Sequence, residues 1–97
     1  TVVVKQGVVL AIEALEGTDT AIRRGSALGR EGVVVVKMAR PRQDMRFDVP
    51  VIGPRTVEVL RETRAACLAV QAKKTLLLEK ERLLSACDES EIALVGI

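Results

Sequence analysis

Ninety-seven residues can build one hydrophobic core but not two, so a single domain is expected over residues 1–97. Hydrophobic side chains make up 48% of the chain, yet there is no Trp, no Tyr and one Phe. That leaves Val, Leu, Ile and Ala to form a core of the kind found where a sheet is covered by helices. The net charge of +2 is too weak to argue for nucleic acid, and the lack of His excludes imidazole catalysis and His-ligated zinc within the chain.

Val2–Lys5 and residues 8–14 read as two strands joined at Gln6-Gly7, a hairpin turn signal. Glu16-Gly17-Thr18-Asp19 closes the second strand and offers Thr18 or Asp19 as N-cap of a helix reaching about Ala27. Gly25, Gly29 and Gly32 read as helix termination and turn. Four valines, Val33 to Val36, then predict a fully buried strand over residues 33–38. A connector from Lys37 to Pro54 follows, rich in charge and without periodicity, and such connectors are more often functional than idle. Pro54 suits the first turn of a second helix running to about Ala65, where its missing N–H is not needed. Residues 68–72 and 75–78 predict a second hairpin around Lys73-Lys74, and residues 79–87 a third helix. Asp88-Glu89-Ser90 reads as a turn and residues 92–95 as a last strand. The fold expected is a mixed α/β (α+β) one: a mixed sheet of about six strands, three helices and two β-β-α-β units.

Cys67, among Ala65, Ala66 and Leu68, and Cys87, beside Ala86, read as buried reduced thiols. Reduced thiols and the lack of a signal peptide point to the cytoplasm, and no apolar run approaches the roughly 18 residues that span a bilayer. The chain opens without Met, directly in a strand, and is expected to be a piece of a longer protein with a partner domain absent.

Two acidic clusters carry the chemical signal: Glu16 with Asp19, and Asp44 with Asp48. If the strands preceding them run parallel, both clusters face one crevice at the ends of the strands. Converging carboxylates repel unless a cation sits between them, and with no His and two distant Cys that cation would take oxygen ligands, favouring Mg²⁺, Mn²⁺ or Ca²⁺. The plainer readings are negative charge at a helix N-terminus for Glu16 and Asp19, and a solvated loop paired with its own arginines for Asp44 and Asp48. Lys37, Arg40, Arg42 and Arg46 add cations suited to phosphate, and Gly53-Pro54 opens a helix whose N–H groups can receive an anion. Acids for a metal beside cations for phosphate are what phosphoryl chemistry requires. Glycine-rich phosphate loops are absent from the sequence. Single-stranded nucleic acid would have only Phe47 to stack on, so nucleic acid is not expected as a partner.

At Glu16-Gly17-Thr18-Asp19, at Lys37, and from Gln43-Asp44-Met45-Arg46-Phe47-Asp48-Val49-Pro50-Val51-Ile52-Gly53-Pro54 through Arg55-Thr56, the chain resembles the C-terminal domain of LpxI-type UDP-2,3-diacylglucosamine pyrophosphatases of lipid A biosynthesis. The resemblance extends over nearly the whole chain, including the opening strands and the closing Ala-Leu-Val-Gly-Ile. It implies hydrolysis of UDP-2,3-diacylglucosamine to UMP and 2,3-diacylglucosamine 1-phosphate, with Mg²⁺ (or Mn²⁺) as cofactor and water attacking the phosphorus on the UMP side. It implies Asp44, with Asp48 as the second candidate, as the catalytic acids. Glu16 and Asp19 join them as metal ligands, and Lys37, Gln43, Arg46, Thr18 and Thr56 bind substrate. It further implies an N-terminal domain of the same protein as partner, so that this piece alone is expected to turn over poorly. Work at the inner face of the inner membrane, without a transmembrane segment, is also implied; peripheral membrane contact and a homodimer stay open. The sequence departs from the family at Ala39-Arg40, where a lysine before the proline is usual, and at Arg42, which replaces a smaller residue. The competing reading is a non-catalytic anion-binding or dimerisation module.

Overall fold

The computed structural model of the chain describes residues 1–39 and 49–97. Strands β1 (Val2–Lys5) and β2 (Val8–Ile12) form the expected hairpin. Its turn residues Gln6 and Gly7 have φ of 51° and 79°, the left-handed backbone that lets a two-residue turn follow the twist of the strands. β2 stops at Ile12, short of the expected 14, and Glu13 N–H donates to Thr1 O at 2.8 Å just beyond it. Val3 pairs with Ala11 but Val4 with Val9, so Leu10 is the extra residue of a β-bulge.

Helix α1 (Thr18–Gly29) leads to β3 (Val34–Lys37), and β4 (Val51–Ile52) precedes α2 (Pro54–Glu62). Then come β5 (Cys67–Val70), β6 (Leu76–Leu77), α3 (Lys80–Glu89) and β7 (Ala93–Gly96). The main sheet has the order β2-β1-β3-β5-β7, with β1 antiparallel to both neighbours and β3, β5 and β7 parallel. Strands β4 and β6 form a separate parallel pair. Three helices on a mixed sheet is the fold class expected, with seven strands in two sheets among the described residues rather than about six in one.

The second hairpin does not form. β5 is paired on both edges, by β3 and β7, so no edge is left for the strand that follows it, and β6 pairs instead with β4. The chain order β-β-α-β does recur, but the pairing within it does not. The two-residue β4 lay unnoticed in the charged connector because two residues carry no alternation to read.

Each connection from β2 to β3, β3 to β5 and β5 to β7 joins strands running the same way and moves in one direction across the sheet. The right-handed crossover rule then sends α1, α2 and α3 to a single face. The packing agrees: α1 touches β1, β2 and α2, α2 touches α3, and α3 touches β7. Val3, Val35 and Leu68 of the sheet are fully buried against Ile22, Val57, Leu60 and Leu83 of the helices. Gly25 is not a terminator but a mid-helix residue pressed on β1: a Cβ placed there would lie 2.5 Å from Val3 Cβ. Gly29 ends α1 over Leu10 and Val33, and Lys5 Nζ donates to the carbonyls of Gly29 and Glu31 at 2.8 and 2.7 Å, satisfying the end of the helix.

The opposite face of the sheet has a different character. The register aligns two rows across it, Ile12-Val2-Val36-Ala69-Val95 and Val9-Val4-Val34-Cys67-Ala93. None of these ten side chains belongs to the core cluster, and among the described residues no helix packs on them. Val34 and Val36 are accordingly half-buried, not fully buried as the run of valines suggested.

Helix ends also moved. α2 stops at Glu62, before the expected Ala65, because Arg64 turns left-handed (φ 56°) while Ala65 N–H bonds Leu60 O and Arg64 N–H bonds Arg61 O. The same arrangement at Glu91 ends α3, with Ile92 N–H on Cys87 O, so Asp88 and Glu89 belong to the helix and not to a turn. Cys67 and Cys87 are both unpaired, half-buried and buried respectively. Burial pushes both thiols up, aided at Cys87 by the charge of Asp88, which disfavours the thiolate form.

Candidate functional site

β2 runs against β1 and β1 against β3, so β2, β3, β5 and β7 all point the same way. The segments leaving β2 and β3 therefore emerge at one edge of the sheet, as the crevice argument required. The N-terminus of α1 lies at that edge, and Asp19 there meets Arg55 at the start of α2.

Lys37, the last residue of β3, is the anchor. Its side chain lies on the helix-covered face, and Nζ donates to Thr18 Oγ1 at 3.2 Å and to Val51 O at 3.0 Å. An ammonium has three protons to donate, and two of them have partners among the described residues. Thr18 Oγ1 in turn donates to Glu13 Oε1 at 3.4 Å and lies 3.3 Å from Thr1 Oγ1. Burial would raise the Glu13 carboxyl, but the hydrogen bond at Thr1 and the charge of Lys37 act the other way, and it lies below its ordinary range. Glu13 and Thr1 were not singled out from sequence. The available signal was a lone carboxylate just after an apolar strand, which has no meaning until its partners are known.

Asp19, the second residue of α1, faces Arg55 of α2, with Oδ2 3.6 Å from Nε. Glu16 faces away, paired with Arg24 Nη2 at 2.5 Å, and that hydrogen bond above all lowers its pKa. Of the four acids expected as metal ligands, the two among the described residues thus have arginine partners. Among the described residues no group of three or more His, Cys, Asp or Glu is arranged to hold a metal ion.

The N-cap of α1 is Gly17, not Thr18 or Asp19, and that of α2 is Gly53. Neither has a capping side chain among the described residues, which leaves first-turn N–H groups of α1 open to an anion, whereas in α2 Pro54 has no N–H and that of Thr56 is bonded to Gly53 O. Gly17 has φ 90°, a conformation L side chains rarely adopt, which explains the glycine of Glu-Gly-Thr-Asp. Thr56 lies in the first turn of α2, its N–H on Gly53 O at 3.0 Å. An open cavity of about 420 Å³ is lined by Glu16, Gly17, Thr18, Asp19 and Arg55 with Thr20 and Arg23. A larger one, about 690 Å³, lies at the other end of α1 among Lys5, Ser26, Arg30 and Arg64 and contains no motif residue. The structure therefore brings Thr18, Asp19 and Lys37 to one edge with the start of α2. Gln43, Asp44, Arg46 and Asp48 lie outside the described residues.

Comparison with known proteins gives two matches. The family model of the LpxI C-terminal domain matches residues 1–95. The curated UDP-2,3-diacylglucosamine pyrophosphatase LpxI of Caulobacter vibrioides is 34% identical over 104 aligned positions, covering 98% of this chain and 37% of the relative. The chain thus spans little more than a third of that protein's length.

Proposed function

Because this chain belongs to the LpxI C-terminal domain family, we propose that it is the phosphate-handling part of an enzyme that hydrolyses UDP-2,3-diacylglucosamine to UMP and 2,3-diacylglucosamine 1-phosphate. In this reaction a water oxygen bonds to the phosphorus on the UMP side. The bond from that phosphorus to the bridging oxygen breaks, and the electron pair leaves with the sugar 1-phosphate.

The observation that carries the reading is the Lys37–Thr18 hydrogen bond, which draws the Glu-Gly-Thr-Asp segment, the end of β3 and the approach to α2 to one point. On this reading Lys37 donates a further hydrogen bond to a phosphate oxygen, while Thr18, backed by Glu13, and the Val51 carbonyl hold the ammonium in place. The open N–H groups of α1 and the guanidinium of Arg55 supply further positive potential for a pyrophosphate. Gln43, Arg46 and Thr56 belong to the same substrate-binding set.

The reading includes Mg²⁺ (or Mn²⁺), with Asp44 and Asp48 as ligands or activators of water. The described acids are no metal cage by themselves: Glu16 and Asp19 are each committed to an arginine, and a metal role for either requires that pair to open. When bound, the ion would withdraw charge from the phosphate oxygens. With an acylated substrate the reaction belongs at a membrane surface on the cytoplasmic side. Among the described residues no helix is long and apolar enough to cross a bilayer.

The test is release of UMP from UDP-2,3-diacylglucosamine by the full-length protein and its Asp44→Asn and Lys37→Ala variants. Loss of turnover in both with an intact fold is expected. Undiminished turnover in Asp44→Asn would remove that residue from the chemistry. Retained anion binding with no turnover in any form would favour the non-catalytic module.

A further inference from the structure

The parallel ladder between β3 and β5 closes with a side chain in place of a carbonyl. Just past the end of β5, Gln71 N–H donates to Lys37 O at 3.3 Å. In a regular parallel ladder the next rung would run from Ala39 N–H to the Gln71 carbonyl. That carbonyl is already taken. It accepts from Thr75 Oγ1 at 2.9 Å and from Lys74 N–H at 3.4 Å, in a turn where Lys73 adopts φ of 67°. The Gln71 side chain supplies the rung instead, its Oε1 accepting from Ala39 N–H at 3.0 Å. One residue thus binds β3 and its extension on both sides of Met38, as a backbone donor and as a side-chain acceptor.

We infer that Gln71 is a positioning residue for the proposed phosphate site: it keeps the end of β3 extended, so that Lys37 Nζ stands between Thr18 Oγ1 and Val51 O. The inference rests on the phosphate-handling reading of that site. A lysine stem is flexible, so its ammonium is placed only as well as its partners and the backbone at its root allow. Here the Lys37 carbonyl has a long bond, 3.3 Å against the usual 2.9–3.0 Å. Without an acceptor for Ala39 N–H, the ladder would fray back to that bond and loosen the root of the stem. The same segment also holds the partner end of the reach. The turn after Gln71 leads into β6, where Leu76 N–H donates to Pro50 O at 2.8 Å and Leu78 N–H to Ile52 O at 2.9 Å. Val51, whose carbonyl receives Lys37 Nζ, lies between those two bonds. A rung that served only folding would show in unfolding and leave the turnover of the folded protein unchanged.

The experiment compares the full-length protein with Gln71→Met, which keeps the length of the side chain and removes the acceptor. Exchange of the Ala39 amide proton, followed by NMR, should quicken about 10-fold or more, while that of Val35, inside β3, stays as in the wild type. Gln71→Glu keeps an acceptor oxygen at the same reach and should leave Ala39 exchanging at the wild-type rate. UMP release should fall about 10-fold in Gln71→Met, with the far-UV circular dichroism of the folded protein retained. In a Lys37→Ala background the same substitution should change UMP release by less than about 3-fold, because a residue that acts through Lys37 has nothing to act on once Lys37 is gone. Unchanged Ala39 exchange, undiminished UMP release, or an equal loss in both backgrounds would each overturn the inference. A wild-type protein that releases no UMP would overturn the proposed function itself, whereas the Ala39 exchange would still report on the Gln71 rung.

Discussion

Lys37 Nζ reaches Thr18 Oγ1 across 19 residues of sequence at 3.2 Å, tying the end of the central strand to the first residue of α1. Its second bond, to Val51 O at 3.0 Å, holds the chain where it re-enters ahead of α2. One side chain thus fixes the spacing of three segments that the proposed function gathers around a phosphate. Lys37→Ala removes both bonds and a donor from the proposed site. A structural cost of about 1–2 kcal/mol in urea unfolding is expected. A fall in UMP release of about 10²-fold or more in the full-length protein should accompany it.

Glu13 gives the site a pH limit. Its folded pKa lies below the ordinary 4.5, so its stabilising interactions are present above that value and disappear as pH falls through the lower folded pKa. Thermal unfolding followed between pH 6 and pH 3 should show a loss of stability below about pH 4.5 that Glu13→Gln reduces. Identical profiles for the two proteins would show that Glu13 carries no such linkage.

Gly25→Ala separates packing from helix propensity. In an exposed helix the change would stabilise by about 1 kcal/mol. Against β1 the new methyl falls 2.5 Å from Val3 Cβ, so α1 must lift off the sheet. A net destabilisation of about 1–3 kcal/mol is expected, read as a lower denaturant midpoint. An unchanged or higher midpoint would mean that α1 does not press on β1 at that position.

Gly17→Ala tests backbone strain alone. No atom lies within 4 Å of a Cβ built there, but φ is +90°. The expected cost is about 1–2 kcal/mol in unfolding. A weaker affinity for pyrophosphate should follow, because relief of the strain would rotate the first N–H groups of α1 away from the cavity.

Much of this architecture could be read locally. Gln6-Gly7 marks a turn whose geometry only such residues accept easily, and Pro54 marks a helix start it cannot disturb. Gly25 was misread because its spacing near Gly29 and Gly32 suggests an end, whereas its role depends on Val3, 22 positions earlier. The Lys73-Lys74 turn suggested a hairpin because the occupied edges of β5 are a property of the whole sheet. Four successive valines could not disclose that Val33 and Val35 face helices while Val34 and Val36 face outward, since a continuous apolar run has no phase. The clustering of Lys37 with Thr18 followed from the motifs. Glu13 did not, because nothing in its neighbourhood in sequence announces an ammonium 24 residues later.

The strand order has a consequence for how the molecule is made. After the opening hairpin every new main-sheet strand is laid at the same advancing margin, first β3, then β5, then β7. Such a chain can assemble in the order in which it leaves the ribosome, with no later segment needing to be threaded between earlier ones. Thr1, Glu13, Thr18, Asp19, Lys37, Val51 and Arg55 have all been synthesised by residue 55. The last two-fifths of the polypeptide arrives afterwards as a buttress behind the proposed site, whose described side chains are already in hand.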